Sequence, residues 1–338
     1  MMKKPSPLAL TFIVLAVIAG GVVALSGVYV DWLWFQSVGF TGVWSTVLTT
    51  KIALFIVAGL VTSLIISANV YIAYRRRPFD VSMAMESDNL ERYRATIDPI
   101  RKLVFPGIAL VLFYFGGTSG VQLWGSWLQF RNSTDFGIKD PQFGMDISFF
   151  AFRLPFLQTL IGWAISTLIL ATLASVAVHY IYGGIRPQLR TDRISVAARV
   201  QLSILLGLIV LVKAVAYWFD RYALALKESR LITGLTYTDV NATLPAKSIL
   251  AAIAVICSLL FFANIVRKSL VLPAAGTALM VGASVLIAGV YPGAIQQFQV
   301  KPSESSKEAP YIQRNIESTR DAYGIADVEM KDYQATVS

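Results

Sequence analysis

Residues Phe156–Tyr182 read FLQTLIGWAISTLILATLASVAVHYIY, and this run decides the fold because it contains no Asp, Glu, Lys or Arg. A helix needs roughly 20 apolar residues to cross a hydrocarbon core of about 30 Å. Hydrocarbon offers no partner to a backbone N–H or C=O, so a spanning run satisfies itself as an α-helix. Six further long apolar runs, with at most two basic residues and no acidic one in each, flank it: Leu8–Val30, Val47–Tyr74 and Leu103–Trp124 before, and Val196–Phe219, Ala246–Val266 and Val271–Ile295 after. The predicted fold is therefore all-α, a polytopic membrane bundle of about seven transmembrane helices with interfacial helices in its loops. Composition agrees. Over 338 residues the chain is 56% hydrophobic and only 14% charged, with a mean hydropathy of +0.62, whereas soluble domains are roughly 25% charged.

Lys and Arg stay preferentially in cytoplasmic loops, which gives the expected orientation. One side of the seven-span arrangement collects Lys3, Lys4, Arg75, Arg76, Arg77, Arg92, Arg94, Arg101, Lys102 and the basic residues of 186–199 and 267–268, against few acids. That side holds the whole formal excess of +9, so it is read as cytoplasmic, with the N-terminus inside and the C-terminus outside. Arg75, Arg76, Arg77, Arg92, Arg94, Arg101 and Lys102 are candidates for contact with anionic lipid head groups. A basic pI explained by topology leaves no call for nucleic acid, and no aromatic-basic recognition module is present. The first run is too long for a signal-peptide core of about 7–15 residues and is read as an uncleaved anchor.

The loops carry their own patterns. Asp31-Trp32-Leu33-Trp34-Phe35, followed by Phe40 and Trp44, has the character of an aromatic belt at head-group level. Leu90, Tyr93 and Ile97 predict a short amphipathic helix within Asp80–Lys102, opened by a capping box at Asp88 and Glu91. The loop Gly125–Pro155 alternates phenylalanines with turn residues and is too apolar for a solvated linker; Asp146–Phe150 is read as the start of an interfacial helix or strand. The tight joint at Arg267, Lys268 and Ser269 makes the last two spans a hairpin. Beyond Ile295 the chain turns polar, and Lys307–Tyr323 predicts a helix capped by Ser305 or Ser306 and stopped at Gly324. Its stripe of Ala309, Ile312, Ile316, Thr319 and Tyr323 needs a cover, which makes Ile312, Ile316 and Tyr323 candidate partner-docking residues.

Three stretches resemble one family: Val30–Phe35, Asp140–Phe150, and Glu308–Ile316 continued through Thr319–Gly324. The chain resembles uncharacterised protein family 0182 over essentially its whole length. This resemblance implies a bacterial membrane protein of seven spans followed by a large extracytoplasmic domain, and it supplies no substrate or catalytic residue. The expected domains are a seven-span unit over 1–295 and an extracytoplasmic tail over 296–338, the latter being the start of an ectodomain that the sequence does not include.

No Walker loop, G-x-G-x-x-G, H-E-x-x-H or G-x-S-x-G occurs. The only cysteine, Cys257, lies in an apolar run and is read as a buried structural thiol; the only histidine, His179, is read as an interfacial side chain. No catalytic, cofactor or metal site is expected, and no enzyme. Gly116-Gly117-Thr118-Ser119-Gly120 reads as a flexible end of the third span that permits either close helix contact or a broken helix. Asn69 and Asn264 are read as interhelical hydrogen bonds. Lys213 is the one clear ionisable residue inside a span, where insertion costs about 2.5–3.5 kcal/mol. It is expected to pair with Asp220, Asp31 or a carboxylate in the outer loops, or else to contact a substrate or lipid phosphate. The functional expectation is a membrane scaffold or accessory subunit that positions extracytoplasmic elements of a cell-envelope assembly, with membrane lipids and other protein subunits as partners. The alternative is a transporter or lipid-handling protein with a site near Lys213 and the aromatic loops.

Overall fold

The structure is a computed structural model that describes residues 7–78, 88–188, 193–229, 232–267, 271–329 and 331. Among the described residues it is helical, with isolated antiparallel bridges and no β-sheet. Seven helices are long and apolar enough to cross a membrane, as the apolar runs predict. They are α1 (Pro7–Ser37), α2 (Thr41–Arg75), α3 (Asp88–Val121), α5 (Leu154–Ile181), α6 (Val196–Ala223), α7 (Leu244–Arg267) and a terminal rod over Val271–Ala322, with the short α4 (Trp124–Arg131) between α3 and α5.

Several boundaries move outward. Helix α1 continues to Ser37, so Asp31 to Phe35 sits on its last turns, not in a loop after the span. The amphipathic segment before the third span is not a separate helix. Helix α3 begins at Asp88 and runs on to Val121, because Ile97 to Leu103 contains no Gly or Asn to form a left-handed stop. Residues 80–87 and the side chains of Arg92, Arg94, Arg101 and Lys102 lie outside the described residues, as does Lys268 in the joint between the last two spans. The tail helix expected to start at Lys307 begins at Glu304 and is continuous with the seventh span. The rod combines α8 (Val271–Ala283), α9 (Tyr291–Ala294) and α10 (Glu304–Ala322) through wide and tight turns over 52 residues, so the expected domain boundary at Ile295 falls inside it.

The wide turns have a common cause. Among the described residues four π segments occur, Phe149–Arg153, Asp239–Thr243, Ser284–Val290 and Ile295–Val300. Each is followed by one residue and then a proline: Pro155, Pro245, Pro292 and Pro302. A proline ring clashes with the carbonyl four residues back and brings no N–H. In each case the residue just before the proline donates five residues back: Leu154 to Phe149, Leu244 to Asp239, Tyr291 to Leu286 and Lys301 to Gln296. The helix thus widens by one residue and continues. Pro99, Pro106 and Pro310 sit inside helices that stay α.

Packing divides the chain into two compact units. In the first, up to Leu60 with Phe113–Trp124, α2 and α3 meet through glycine. A Cβ on Gly120 would lie 2.7 Å from the Leu54 carbonyl oxygen, and one on Gly117 2.7 Å from the Phe55 ring. The glycine-rich stretch is thus an unbroken close contact, in the manner of small-residue membrane packing.

In the second unit, Val61–Leu112 with Gly125–Ser338, α6 packs on α5 and α7, and α7 on α8. Small faces bring α6 and α7 together: Ser258 donates to the Gly207 carbonyl at 2.8 Å and Asn264 to the Ser203 hydroxyl at 2.8 Å. Gln201 joins three helices, donating to the Asn69 carbonyl at 2.8 Å and to Ser175 at 3.2 Å. Its other amide atom meets His179 Nε2 at 3.0 Å. His179 is therefore not interfacial; it is buried, because the turn after α5 folds back on it, with the Gly184 N–H donating to its carbonyl. Cys257 is buried as well.

The phenylalanine-rich loop folds onto the helices it connects. Phe130 packs on Phe156 with the rings tilted, and Phe143 and Phe149 pack on Tyr222 of α6. Asp146 is its hub, accepting backbone N–H groups of Phe136 at 3.0 Å, Gly137 at 2.9 Å and Ser148 at 2.9 Å. The Ser148 hydroxyl beside it, with these N–H groups, holds its carboxyl down at about 2.

Candidate functional site

The segment linking α6 to α7 builds a polar site. After the tight turn Leu224–Leu226 the chain reverses through a Glu228–Thr233 bridge, closed by the Gly234 N–H donating to the Lys227 carbonyl at 2.7 Å. That reversal carries Lys227 back to the head of the next span. There Thr236-Tyr237-Thr238-Asp239 forms a capping box. The Asp239 carboxylate accepts from the Thr236 N–H at 3.3 Å and hydroxyl at 2.8 Å, while the Asp239 N–H donates to the Thr236 hydroxyl at 3.3 Å. Its other oxygen takes the Lys227 ammonium at 2.8 Å. Asp239 is fully buried, whereas the Lys227 side chain is 48% exposed.

Helix α10 closes the site. Glu308, also buried, accepts the Tyr237 N–H at 3.0 Å. Asn315 donates to the Thr233 carbonyl at 2.9 Å, and the Lys307 ammonium lies 4.8 Å over the Tyr237 ring. Below it, Thr238 donates to Gln296 on the second wide turn of the rod. Between these groups lies a cavity of about 730 Å³ lined by Lys227, Thr238, Asp239, Gln296, Glu304 and Glu308, among others. Lysines, carboxylates and hydroxyls face one space, an arrangement with the chemistry to receive hydrogen-bonding or zwitterionic groups. Among the described residues, no set of three or more His, Cys, Asp or Glu is placed to hold a metal ion.

The residues singled out from the sequence fall elsewhere. Lys213 and Asp220 line one crevice between α5 and α6, yet they are not the expected ion pair. Asp220 pairs with Lys247 at 3.5 Å, and the Lys213 ammonium sits 4.7 Å over the Tyr217 ring. The preference has a geometric cause: Lys213 and Tyr217 are four residues apart on one helix face, and Lys247 approaches Asp220 from α7. Asp31 is exposed and belongs to the other unit. Arg75 and Arg76 are exposed, but the Arg77 guanidinium stacks 4.3 Å over the Tyr74 ring and 5.4 Å over that of Tyr182. On α10 the covered face is not the apolar stripe. Glu308, Tyr311 and Asn315 turn toward the 233–241 segment, Ile312 is half-buried, and Ile316 and Tyr323 are 40% and 77% exposed.

Sequence reading passed over Asp239, Glu308 and Lys227. A signal for the first was present, since a Ser/Thr-x-x-Asp/Glu pattern ahead of an apolar run marks a capped helix start. Glu308 stood only in a stretch that resembles the family, with nothing to mark its partner Tyr237, 71 residues away.

The profile of the family described as "Uncharacterised protein family (UPF0182)" matches residues 8–338. The chain is 45% identical to a UPF0182 protein of Nocardioides sp., over 98% of this chain and 33% of the relative. It is 46% identical to one of Streptomyces coelicolor, over 98% and 34%, and 46% identical to one of Thermobifida fusca, over 94% and 31%. The chain spans about a third of the length of the curated relatives it matches. No solved structure matches it.

Proposed function

The chain belongs to Uncharacterised protein family UPF0182, and from that premise we propose that it is a membrane scaffold, an accessory subunit whose spans hold extracytoplasmic elements of a cell-envelope assembly in place. Its seven apolar helices and its family make it a multi-pass plasma-membrane protein of bacterial type, in contact with lipid. The observation that carries the proposal is the rod. Span and tail helix are continuous over Val271–Ala322, and the tail half is fixed to the α6–α7 link through Glu308 and Asn315. A hydrogen bond to a charged group contributes roughly 1.5–3 kcal/mol, so the Glu308 contact alone resists swinging of α10.

A helix held in this way presents Ile316 and Tyr323 outward at a constant height above the bilayer. In this reading they are the contact for another extracytoplasmic element, the chain performs no chemistry itself, and Arg75 and Arg76 meet anionic lipid at the cytoplasmic face. The test is purification of the full-length protein from its own membrane in mild detergent, with Ile316→Asp and Tyr323→Asp beside it. Wild type should bring stable partners that both variants lose without loss of thermal stability. Repeated recovery of wild type as a lone monomer would sink the proposal.

A further inference from the structure

Lys213 lies ten residues before the end of α6, inside a span, and the Asp220 carboxylate that shares its crevice is already engaged by Lys247 at 3.5 Å. The three groups therefore leave one positive charge over. A ring face is a weaker partner for an ammonium than an anion is, so Tyr217 compensates Lys213 only in part. A charge withdrawn from water demands an opposite one.

The crevice beside it holds about 190 Å³. Gly162 contributes exposed, open wall, with nothing within 4 Å of where its Cβ would stand. Ile161 and Ile165 line an apolar side, Ala216 is buried at its edge, and Gln158 adds amide donors suited to an oxyanion. The neighbouring exposed residues Leu160, Val215 and Trp218 are apolar, so the approach is from hydrocarbon. Trp218 lies about 7.5 Å further along the axis than Lys213, and a tryptophan there marks head-group level. An ammonium on a flexible stem reaches toward that level.

We propose that the α5–α6 crevice beside Lys213 binds the phosphodiester of an anionic phospholipid, with the Lys213 ammonium as counter-charge and Gln158 as hydrogen-bond donor. One phosphodiester carries one negative charge, which matches the surplus of Lys213, Asp220 and Lys247. A zwitterionic lipid brings its own cation and is the poorer match. This goes beyond the scaffold role and stands or falls without it.

The test uses the full protein in nanodiscs of phosphatidylcholine mixed with phosphatidylglycerol, released for native mass spectrometry. Wild type should retain phosphatidylglycerol in preference to phosphatidylcholine. Lys213→Gln should lose it by about tenfold, as expected for one charge-assisted bond, and Lys213→Arg should keep it. Asp220→Asn removes a negative charge from the crevice and should raise retention, a direction that unfolding cannot mimic. Equal retention of the two lipids, unchanged retention in Lys213→Gln, or a fall in Asp220→Asn would each overturn the proposal. Inorganic phosphate added in detergent should not displace the lipid; displacement would assign the crevice to soluble oxyanions instead.

Discussion

Asp239 and Lys227 are unequal partners in one ion pair, because the carboxylate is buried and the ammonium is half in solvent. Removing the lysine strands a buried charge, whereas removing the charge on the aspartate leaves an ammonium that water can take. Lys227→Met should therefore cost about 3 kcal/mol, and Asp239→Asn, which keeps an oxygen for Thr236, about 1 kcal/mol. Thermal unfolding of the two purified variants checks the order, and the reverse order would refute the assignment. At Asp146 the linkage sign is fixed by a folded value of about 2, below the ordinary 3.8. The hub stabilises its loop fully above the ordinary value and loses that contribution as pH falls through the folded one. Amide exchange at Phe136, Gly137 and Ser148 should accelerate across this window, and Asp146→Asn should abolish the step. Single residues were legible where the partner type was forced, as with Asn264, an amide in hydrocarbon that had to find a polar atom. Lys213 was legible as a problem but not in its solution, since which carboxylate takes which lysine depends on how α7 approaches α6.

At the level of elements, the glycines of α2 and α3 separate into those that make contact and those that do not. Gly120 meets backbone, while Gly107 faces open space. Gly120→Ala should lower the melting temperature through overpacking of about 1–3 kcal/mol. Gly107→Ala should leave it unchanged or raise it, since alanine favours helix by about 1 kcal/mol; equal effects at both positions would refute the contact. Span existence was plain from long apolar runs, but span ends were not. Polar residues such as Asp31 and Gln296 suggested exits, whereas helices persist into polar sequence until a stop such as Gly39 or Gly324, both at positive φ. The four wide turns were legible in retrospect, each being marked by a proline in a helix that had no reason to end.

For the whole molecule, orientation rests on arginine and lysine distribution. Cysteines placed at Arg76 and Ile316, both exposed, can be read against Cys257, which is buried. A membrane-impermeant maleimide on intact cells should label the Ile316 site alone. Labelling at Arg76 with none at Ile316 would invert the topology and remove the scaffold reading. Seven spans and their alternation were available from composition and periodicity, because hydrocarbon leaves few choices. The polar cavity was not, since it forms only when residues about 70 positions apart meet.

The terminal rod is about 75–80 Å long at about 1.5 Å per residue, with its first part against α7 and its last part pinned at Glu308. Mechanically that is a lever with its fulcrum at Glu308. A sideways force at Gly324 reaches Val271 as a torque, and the widened turns between Ser284 and Val300 are the compliant stretch where it bends first.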